Sequence, residues 1–582
     1  MDKMVTKKDV IAILEDIGKL LELKGETPFK SRAYYSAARN IAATEEDINA
    51  LVSEGNLTSI KGIGDALDQK ITELVTTGAL EYYEKLKRSI PPGHIEMLRI
   101  EGLGPRKTWT LYEKLHIETI GELEYACTEN RLVELTGFGK KTQDKILAGI
   151  ERLKRYQERH LYADIIGKAE SMIDSILKQK NVISASLAGS IRRCNEVIKD
   201  IDIVASAKDP RSFADFFVSL PEVRDITAKG ETKVSVVLES GVNSDLRIVA
   251  EDEFPYALHH FTGSKEHNIA MRGRAKRMGI KMNEYGLFRE NSIIPCKSEN
   301  EIFAALGLSF IPPELRENMG EIETAESGEL PDLVERKDIR GLLHIHTSAS
   351  DGSDSLETIV EAAKKMGMEY IGIADHSQYA YYAGGLSADE VKRQHGIIDE
   401  INERENSFYI FKGIEADILP DGSLDYDEEI LSSFDFVIAA VHSNFRMSED
   451  EMNSRLTRAL ENKYTTILAH PTGRLLLARE PYSVDVEKII DAAARMGKLI
   501  ELNANPYRLD LDWRYCRYAT KQGVKIAINP DAHNTATLCH IDFGINIARK
   551  GWLEPADCIN CLGLEEMKEF LYSRRHQRGH FE

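Results

Sequence analysis

The stretch that decides the fold of this chain is Gly189-Ser190-Ile191-Arg192-Arg193, which is followed by Asp200-Ile201-Asp202. The apolar residues 182–187 before it predict a strand that ends in a turn of small residues. Gly189 lets the backbone approach a ligand closely, and Ser190 and Arg193 supply donors for phosphate oxygens. Asp200 and Asp202 alternate along the next predicted strand, so both carboxylates project from one face. We interpret this combination as a Mg²⁺-nucleotide site, in preference to an aspartate pair on a solvated edge strand.

A third carboxylate follows in the next pair of predicted strands. Residues 233–238 favour a strand, residues 239–244 a turn, and residues 245–249 a returning strand that begins with Asp245. We therefore expect Asp245 to face Asp200 and Asp202 across an antiparallel sheet. The pattern resembles the nucleotidyltransferase palm of the family X (polymerase beta-like) DNA polymerases. The resemblance implies that the three aspartates hold two Mg²⁺, that Asp245 also activates the primer 3′-hydroxyl, and that Gly189, Ser190 and Arg193 bind the triphosphate.

An apolar-x-Gly-apolar-Gly pattern occurs three times before residue 141. The copies are Ile60-Lys61-Gly62-Ile63-Gly64, Ile100-Glu101-Gly102-Leu103-Gly104 and Leu135-Thr136-Gly137-Phe138-Gly139. One copy also fits a plain turn between helices, but three predict helix-hairpin-helix motifs, whose glycines bring backbone N–H groups against DNA phosphates without reading bases. Tailing, tRNA-end and antibiotic-modifying nucleotidyltransferases share the palm pattern but need no tandem DNA contacts. The repeats therefore favour a DNA polymerase.

Two further groups of residues resemble functional segments of the same family. Lys70 matches the lysine that forms a Schiff base during 5′-deoxyribose-phosphate removal, and Lys30 and Tyr34 resemble the residues that bind the 5′-phosphate. The alternative for Lys70 is a lysine on a solvated helix face, because a nucleophilic lysine also needs a depressed pKa.

Residues 260–272 resemble the segment that closes on the nascent base pair. The resemblance implies that His260, Phe261, Gly263 and Asn268 contact the incoming nucleotide and that Arg272 reaches the template minor groove. The family usually has Tyr before the Phe, as a gate against ribose. His260 stands there in this chain, which leaves sugar discrimination open.

The C-terminal half alternates predicted strands with predicted helices. We expect strands at residues 342–346, 370–375, 409–416, 436–442, 465–470, 498–503 and 525–531. Seven strands in this rhythm predict a parallel α/β barrel, in which the carboxyl ends of the strands converge on one mouth. Any one histidine there is more often a core or surface residue than a ligand, but histidines and carboxylates recur at these ends: His344, His346, Asp351, His376, Glu415, His442, His470, Asp531 and His533.

This half resembles the PHP (polymerase and histidinol phosphatase) domain, a distorted (β/α)7 barrel with a trinuclear site. The resemblance implies three metal sites: His344, His346, Glu415 and Asp531; Glu415, His442 and His470; and Asp351, His376 and His533. Mixed imidazole and carboxylate ligands suit Mn²⁺ or Zn²⁺ better than Mg²⁺, and such clusters favour phosphoester hydrolysis. Arg474 and Arg508 are candidate phosphate clamps, although surface arginines are the better interpretation. Cys558 and Cys561 are interpreted as structural or incidental rather than zinc-binding.

Length, cysteine content, hydrophobicity and charge limit the classes of protein to which this chain can belong. The chain has 582 residues, which predicts several domains, and seven scattered cysteines, which suit a reducing cytoplasm. No run is long enough to cross a membrane, and residues 1–24 lack an apolar signal core. The net charge of −20 argues against nucleic acid, but bound cations would offset many carboxylates, and basic stretches occur at 140–155 and 272–277.

We therefore expect a multidomain chain of α+β and α/β class, with a helical helix-hairpin-helix region, a nucleotidyltransferase palm and a C-terminal (β/α)7 barrel. The expected domains are a lyase-like helical domain (1–88), a second helix-hairpin-helix region (89–156), the palm (157–250), a nascent-base-pair subdomain (251–315), a linker (316–337) and the PHP domain (338–582).

The resemblance implies a monomeric repair polymerase that fills gapped or primer-template DNA with dNTPs. It also implies a 3′–5′ exonuclease, abasic-site incision and lyase activity. Two alternatives concern the barrel: a small-molecule phosphatase with no DNA role, and a non-catalytic scaffold. The three DNA-binding motifs weigh against the first, and the nine intact ligand positions weigh against the second.

Overall fold

Short helices form the N-terminal part of the chain in the computed structural model, which describes residues 5–44, 47–100, 102–133, 135–154, 159–290, 292–405 and 407–577. The predicted motif residue Glu101 and the basic residue Arg155 lie outside the described residues. Two compact units are present: residues 1–128 with 132–153, and residues 129–131 with 154–582.

The first unit has two apolar cores. One is built by residues 5–98 around Leu14, Ile17 and Ile71, and the other by residues 97–153 around Leu111, Phe138 and Ile146. The helices are α1 (Lys7–Leu23), α2 (Pro28–Ala43), α3 (Ile48–Ser53), α4 (Asp65–Thr77), α5 (Glu81–Arg88), α6 (Pro92–Met97), α7 (Pro105–Leu115), α8 (Ile120–Thr128) and α9 (Lys140–Lys154).

The second unit begins with a five-stranded sheet covered by two helices. The strands and helices of residues 160–249 are β1 (His160–Leu161), α10 (Tyr162–Leu177), β2 (Val182–Leu187), α11 (Gly189–Arg192), β3 (Val197–Ile198), β4 (Asp200–Ala207), α12 (Pro210–Val218), β5 (Val223–Lys229), β6 (Lys233–Leu238) and β7 (Asn243–Val249). Strands β1 and β3 pair with each other in a separate two-stranded sheet. The strand order in the sheet is β2-β4-β7-β6-β5. Alternate residues of β6, of β7 and of the first half of β4 are buried, whereas residues 203–206 of β4 are all buried. One face of the sheet therefore packs against the helices, and the other carries polar groups near the start of β4.

The expected antiparallel pairing of Asp245 with the Asp200–Asp202 strand is wrong. Strands β4 and β7 are parallel, whereas β6 and β7 form the antiparallel hairpin. The reason is the crossover through α12, which carries the chain to the far edge of the sheet before β5, β6 and β7 return toward β4. The parallel register still aligns Asp202 with Asp245.

A small helical and three-stranded region follows. It contains α13 (Phe254–Thr262), α14 (Lys265–Arg277), β8 (Ile280–Asn283), β9 (Gly286–Arg289), β10 (Ser292–Ile294), α15 (Glu299–Ala305) and α16 (Glu321–Ser327). The predicted linker 316–337 contains α16, and its residues Ile322, Ala325 and Leu333 are buried in the same core as residues 256–315. This segment is thus part of a packed core because its apolar side chains complete the α14–α15 region.

Seven parallel strands, in the order β11 to β17, form the barrel. They are β11 (Gly341–Ile345), β12 (Tyr370–Ile373), β13 (Tyr409–Asp417), β14 (Phe436–Ala440), β15 (Ile467–Leu468), β16 (Leu499–Asn503) and β17 (Ile526–Asn529). A backbone hydrogen bond of 2.9 Å from His346 N to Ala532 O joins the first strand end to the last. The surrounding helices are α17 (Leu356–Lys365), α18 (Ala388–Arg404), α19 (Glu428–Ser432), α20 (Glu449–Glu461), α21 (Val486–Arg495), α22 (Trp513–Lys521), α23 (Ile541–Lys550) and α24 (Leu564–Gln577). The predicted fold class is confirmed.

Among the described residues, no helix combines the length and the apolar character that a membrane span requires.

Candidate functional site

The three palm aspartates lie together on adjacent strands. Asp200 and Asp202 are on β4, and Asp245 is the direct neighbour of Asp202 on β7. The turn after β2 brings Gly189 against them: a Cβ built at this residue would lie 2.1 Å from Asp202 Oδ2, and its φ is +60°. Only glycine fits this backbone conformation and this close approach. The turn and the carboxylates therefore form one site.

The electrostatics of this site favour a bound cation. Burial, followed by repulsion from Asp200 and Asp245, raises the pKa of Asp202 to about 7. Burial and Asp245 also raise the pKa of Asp200. Asp245 is held by Ser235 Oγ at 2.5 Å and by Lys233 Nζ at 2.7 Å. Closely spaced carboxylates whose ionisation is opposed in this way suit divalent cations, which stabilise the charged forms.

The paired arginines after the turn have different surroundings. Arg192 binds Glu299 through both terminal nitrogens, at 3.0 and 2.6 Å, and is therefore fixed in a structural ion pair. Arg193 donates from Nε to Glu317 Oε1 at 2.9 Å and from Nη1 to the Thr262 carbonyl at 2.9 Å. Burial raises the pKa of Asp202, and the positive charge of Arg193 is one of the smaller effects that lower it. Arg193, predicted to bind phosphate, thus lies close enough to the carboxylates to act with them.

The predicted nucleotide-contacting segment spans the turn between α13 and α14. Asn268 Nδ2 donates to the His260 carbonyl at 2.8 Å and to the Gly263 carbonyl at 3.0 Å. A Cβ at Gly263 would lie 2.7 Å from the His267 ring, so glycine is required for this packing. Phe261 stacks under the Arg247 guanidinium at 5.2 Å. Arg272 is exposed on α14.

The three glycine repeats of the first unit share one backbone geometry. The first glycine of each, Gly62, Gly102 and Gly137, has φ of +88°, +90° and +90°. The second glycine of each, Gly64, Gly104 and Gly139, immediately precedes a helix, and a Cβ there would meet no atom within 4 Å. Gly64 and Gly104 also have ordinary extended φ values of −99° and −96°. Internal packing therefore does not require the second glycine, whereas close approach of an external backbone would.

Two of the three predicted lyase residues, Lys70 and Tyr34, contact the Tyr82 ring. Lys70, on α4, places its Nζ 4.7 Å from the centre of the Tyr82 ring. Tyr34 stacks on the same ring at 6.4 Å and 3°. Lys30 is exposed and pairs with Glu26 at 2.8 Å. The structure therefore brings Lys70 and Tyr34 to the same ring, where a lysine over a tyrosine face makes a cation–π contact.

The nine predicted metal ligands of the barrel lie together at the carboxyl ends of its strands. Glu415, on β13, is at the centre, and five imidazoles approach its oxygens. The distances are 2.9 Å for His376 Nδ1, 3.0 Å for His470 Nε2, 3.2 Å for His442 Nε2, 3.4 Å for His344 Nε2 and 3.7 Å for His346 Nε2. Asp351 lies between His376 and His533, each at 3.3 Å. Asp531 is 3.3 Å from His346 Nε2.

The ligand atoms fall into groups that overlap the expected sets. The three groups are His344, His346 and Asp531; His376, Glu415 and His442; and His346, Asp351, His376 and His533. His346 and His376 thus each belong to two groups, where one was expected, because their rings lie only 4.5 Å apart. His470 joins through its contact with Glu415.

The chemistry of this cluster fits metal ions. Ring nitrogens of His344, His346, His376 and His533 and both oxygens of Asp351 are buried without a hydrogen-bond partner, which is costly unless a cation binds them. Burial, then the neighbouring His533 and His376, lowers the pKa of His346 to about 4. Burial and Arg508 lower the pKa of His470 to about 4. Burial also favours the neutral form of His376, but Asp351 and Glu415 raise its pKa to about 10. Since neutral imidazole is the form that binds metal, metal binding by His376 would release a proton.

Three ligand residues are held in the left-handed backbone region. The φ values are +56° for His344, +27° for His470 and +49° for Asp531. L-residues adopt such values at a cost of order 1–3 kcal/mol, which the surrounding structure must offset. The observed strain therefore supports a functional role for these strand ends.

Carboxylates behind the ligating histidines were missed in the sequence. Glu501 accepts from His344 Nδ1 at 2.6 Å, and Asp417 accepts from His442 Nδ1 at 3.1 Å. Glu129, which groups with the second unit, pairs with His533 Nδ1. Such partners fix the tautomer and orientation of a ligating imidazole. Period-two alternation after Glu415 could have indicated Asp417, but nothing local indicates Glu129.

The two candidate phosphate clamps differ. Arg474 donates to the backbone carbonyls of Arg508 and Leu509 and to Asp512 at 2.5 Å, so it is structural. Arg508 is buried, and its Nε is 3.6 Å from Asp531 Oδ2, next to the metal ligands. Arg508 is therefore the better candidate.

Family models match four parts of the chain: a helix-hairpin-helix domain at residues 5–80, a SAM-like helix-hairpin-helix tandem at 95–152, a DNA polymerase beta thumb at 257–317 and a PHP domain at 343–505. The chain is 40% identical to the DNA polymerase/3′-5′ exonuclease PolX of Bacillus subtilis over 569 residues, which covers 97% of this chain and 99% of the relative.

Two other relatives match only part of this chain. A repair DNA polymerase X of African swine fever virus is 30% identical over 148 residues, covering 24% of this chain and 82% of the relative. A probable phosphatase of Caldanaerobacter subterraneus is 28% identical over 263 residues, covering 42% of this chain and 96% of the relative. Full-length similarity to the Bacillus subtilis protein, together with the matched domains, carries the conclusion. The chain belongs to the family X DNA polymerases that carry a C-terminal PHP domain.

Proposed function

We propose that this chain is a repair DNA polymerase that fills short gaps with dNTPs and carries a separate 3′–5′ exonuclease in its barrel. The observation that carries the proposal is the presence of two different ligand sets in one compact unit. One is an all-carboxylate set on β4 and β7, and the other is a mixed imidazole–carboxylate set at the barrel mouth. Oxygen-only sites suit Mg²⁺, and mixed sites suit Mn²⁺ or Zn²⁺.

In the palm, the residues have the roles that the family resemblance implies. Asp200, Asp202 and Asp245 hold two Mg²⁺, while Ser190 and Arg193 bind the triphosphate. The primer 3′-oxygen attacks the α-phosphorus, a phosphodiester forms, the bond to pyrophosphate breaks, and Asp245 takes the proton. Ser235 and Lys233 orient Asp245 for this role.

In the barrel, the nine residues hold up to three divalent ions, and Arg508 faces a substrate phosphate. Divalent ions held by these residues would neutralise charge in both sites and would activate a water for phosphodiester hydrolysis in the barrel. The glycine repeats bind the DNA backbone in both reactions. The same barrel chemistry also supports incision at abasic sites, and Lys70 is the candidate for 5′-deoxyribose-phosphate removal.

We also propose a monomer that acts in the cytoplasm. All seven cysteines are free thiols, which supports a reducing compartment.

Paired substitutions test whether the two activities are separable. Asp200→Ala with Asp202→Ala should abolish primer extension and leave degradation of the primer intact. His344→Ala with His346→Ala should do the reverse. Loss of metal ligands removes several kcal/mol of transition-state stabilisation, so each loss should be nearly complete. The measurement is electrophoresis of labelled gapped DNA, with dNTPs and Mg²⁺ or with Mn²⁺ alone.

Each outcome has a distinct meaning. Extension by the palm variant would exclude the polymerase assignment. Degradation by the barrel variant would place the nuclease outside the barrel. A barrel variant that loses hydrolysis of a small phosphate monoester but keeps DNA degradation would favour the small-molecule phosphatase alternative.

A further inference from the structure

Lys550, the last residue of barrel helix α23, ends beside the predicted nucleotide site in the palm. Its side chain is only 1% exposed. The ammonium group donates to Glu317 Oε1 at 2.5 Å, to Asn195 Oδ1 at 2.9 Å and to the Arg193 carbonyl at 3.2 Å. A buried lysine of the barrel is thus bonded directly to the turn that follows the Gly189-Ser190 motif.

One carboxylate oxygen of Glu317 binds both Lys550 and Arg193. Glu317 Oε1 accepts from Lys550 Nζ and from Arg193 Nε. Burial opposes ionisation of Glu317, but Lys550 and Arg193 hold its pKa below the ordinary value. Two positive charges on one negative charge leave a net positive charge at Arg193. The other nearby acids have partners of their own: Glu196 lies 3.7 Å from Arg474, and Glu314 is 2.7 Å from Arg549.

The barrel fixes the position of this lysine. A Cβ at Gly544 of α23 would lie 2.5 Å from Ala504 Cβ and 2.6 Å from Ile528, so the helix backbone lies directly against residues that follow β16 and end β17. The Lys550 ammonium also lies 4.7 Å from the centre of the Trp513 ring. The barrel thus fixes the backbone that carries Lys550, and Trp513 with three oxygen acceptors holds its ammonium.

We propose that Lys550 is a positioning residue for nucleotide binding. It neutralises Glu317 and holds the Arg193–Asn195 turn, so that the Arg193 charge is available to the triphosphate. Without the ammonium, Glu317 and Arg193 would neutralise each other. The proposal rests on the proposed polymerase function, and it makes the barrel a structural part of the nucleotide site, whether or not the barrel cleaves DNA.

The test compares Lys550→Met with Arg549→Met in the full-length protein. Both changes remove a cation from α23 that binds a carboxylate of residues 314–317, but only Lys550 shares its carboxylate with Arg193. We expect Lys550→Met to raise KM for the dNTP about tenfold, equivalent to 1.4 kcal/mol, with kcat changed less than twofold. Arg549→Met should leave KM unchanged, and both variants should keep Mn²⁺-dependent exonuclease activity.

A double-mutant cycle protects the test against misfolding. In a Glu317→Gln background the carboxylate is absent, so adding Lys550→Met should change KM by less than twofold. Lys550→Arg should restore most of the affinity. If Lys550→Met leaves KM unchanged while Arg193→Met raises it, the proposal is wrong and the polymerase assignment stands. Equal loss of kcat in both backgrounds would show a merely structural role and would also overturn it.

Discussion

By the family resemblance, His260 stands where a tyrosine is expected, in the segment predicted to approach the sugar. Its backbone carbonyl is fixed by Asn268, and the turn that follows is fixed by the packing of Gly263. Burial lowers the pKa of His260, so its imidazole is neutral at pH 7 and can accept a hydrogen bond. Because hydrogen bonds and packing hold the backbone in place, we expect any difference in selectivity for deoxyribose over ribose to come from the His260 side chain.

We predict appreciable ribonucleotide incorporation by this protein, and partial restoration of selectivity in His260→Tyr. A smaller ring relieves a clash with a 2′-hydroxyl, and a ring nitrogen can accept a hydrogen bond worth about 1 kcal/mol. Together they lower discrimination by roughly tenfold. The measurement is kcat/KM for a dNTP and for the matching rNTP on gapped DNA, in both proteins. Equal and strong rejection of rNTPs by both would show that the backbone alone sets the gate.

Lys70 gives a second test at the scale of single residues. If it forms a Schiff base, borohydride should trap the wild-type protein on 5′-deoxyribose-phosphate DNA, and Lys70→Ala should remove most of the trapping. The nucleophile must first leave the face of Tyr82 and lose its proton. Lys85→Ala is the control, because Lys85 is exposed and pairs with Glu81 in the same helix. Gap filling without any trapping would make Lys70 a binding or structural lysine.

Among the structural elements, the repeated glycine turns lead to a prediction about how this protein binds DNA. Gly64, Gly104 and Gly139 precede helices with open space around a built Cβ, so alanine can be accommodated without an internal clash. A methyl group there would still keep a phosphate from the backbone N–H groups. We expect Gly104→Ala to weaken binding of gapped DNA several-fold, equally for unrelated sequences, with the thermal midpoint changed by less than 2 °C.

The matched control is Gly102→Ala, where φ is +90°. This change strains the turn and should lower the thermal midpoint as well as DNA affinity. Fluorescence anisotropy at several salt concentrations and scanning calorimetry measure the two effects. If Gly104→Ala binds DNA normally, the open face of this turn does not contact phosphate.

The elements differ in how far sequence could predict them. The barrel strands and the clustering of the nine predicted ligands were predictable, because each of these residues lies at or just after an apolar strand and parallel strands share one carboxyl edge. The parallel pairing of β4 with β7 could not be predicted from the sequence, because the order of strands in the sheet depends on the crossover through α12. Glu129 and Lys550 were also beyond local patterns, since each meets its partner across hundreds of residues.

For the whole molecule, the barrel metals should stabilise the second unit and leave the first unit unaffected. At the barrel mouth, ring nitrogens of His344, His346, His376 and His533 and both oxygens of Asp351 are buried without a hydrogen-bond partner, whereas the first unit has apolar cores of its own. A ligand at 100 times its Kd adds about 2.7 kcal/mol to the free energy of unfolding. For a large unit this corresponds to a rise of a few degrees in the midpoint.

We therefore predict that calorimetry of chelator-treated protein shows two transitions, of which only one moves upward when Mn²⁺ is added. His344→Ala with His346→Ala should remove this shift, whereas Asp200→Ala with Asp202→Ala should keep it, because the palm carboxylates are a separate set. An unchanged shift in the histidine variant would place the stabilising metal outside the barrel mouth. Movement of both transitions together would mean that the two units unfold as one, since separate units respond only to their own ligands.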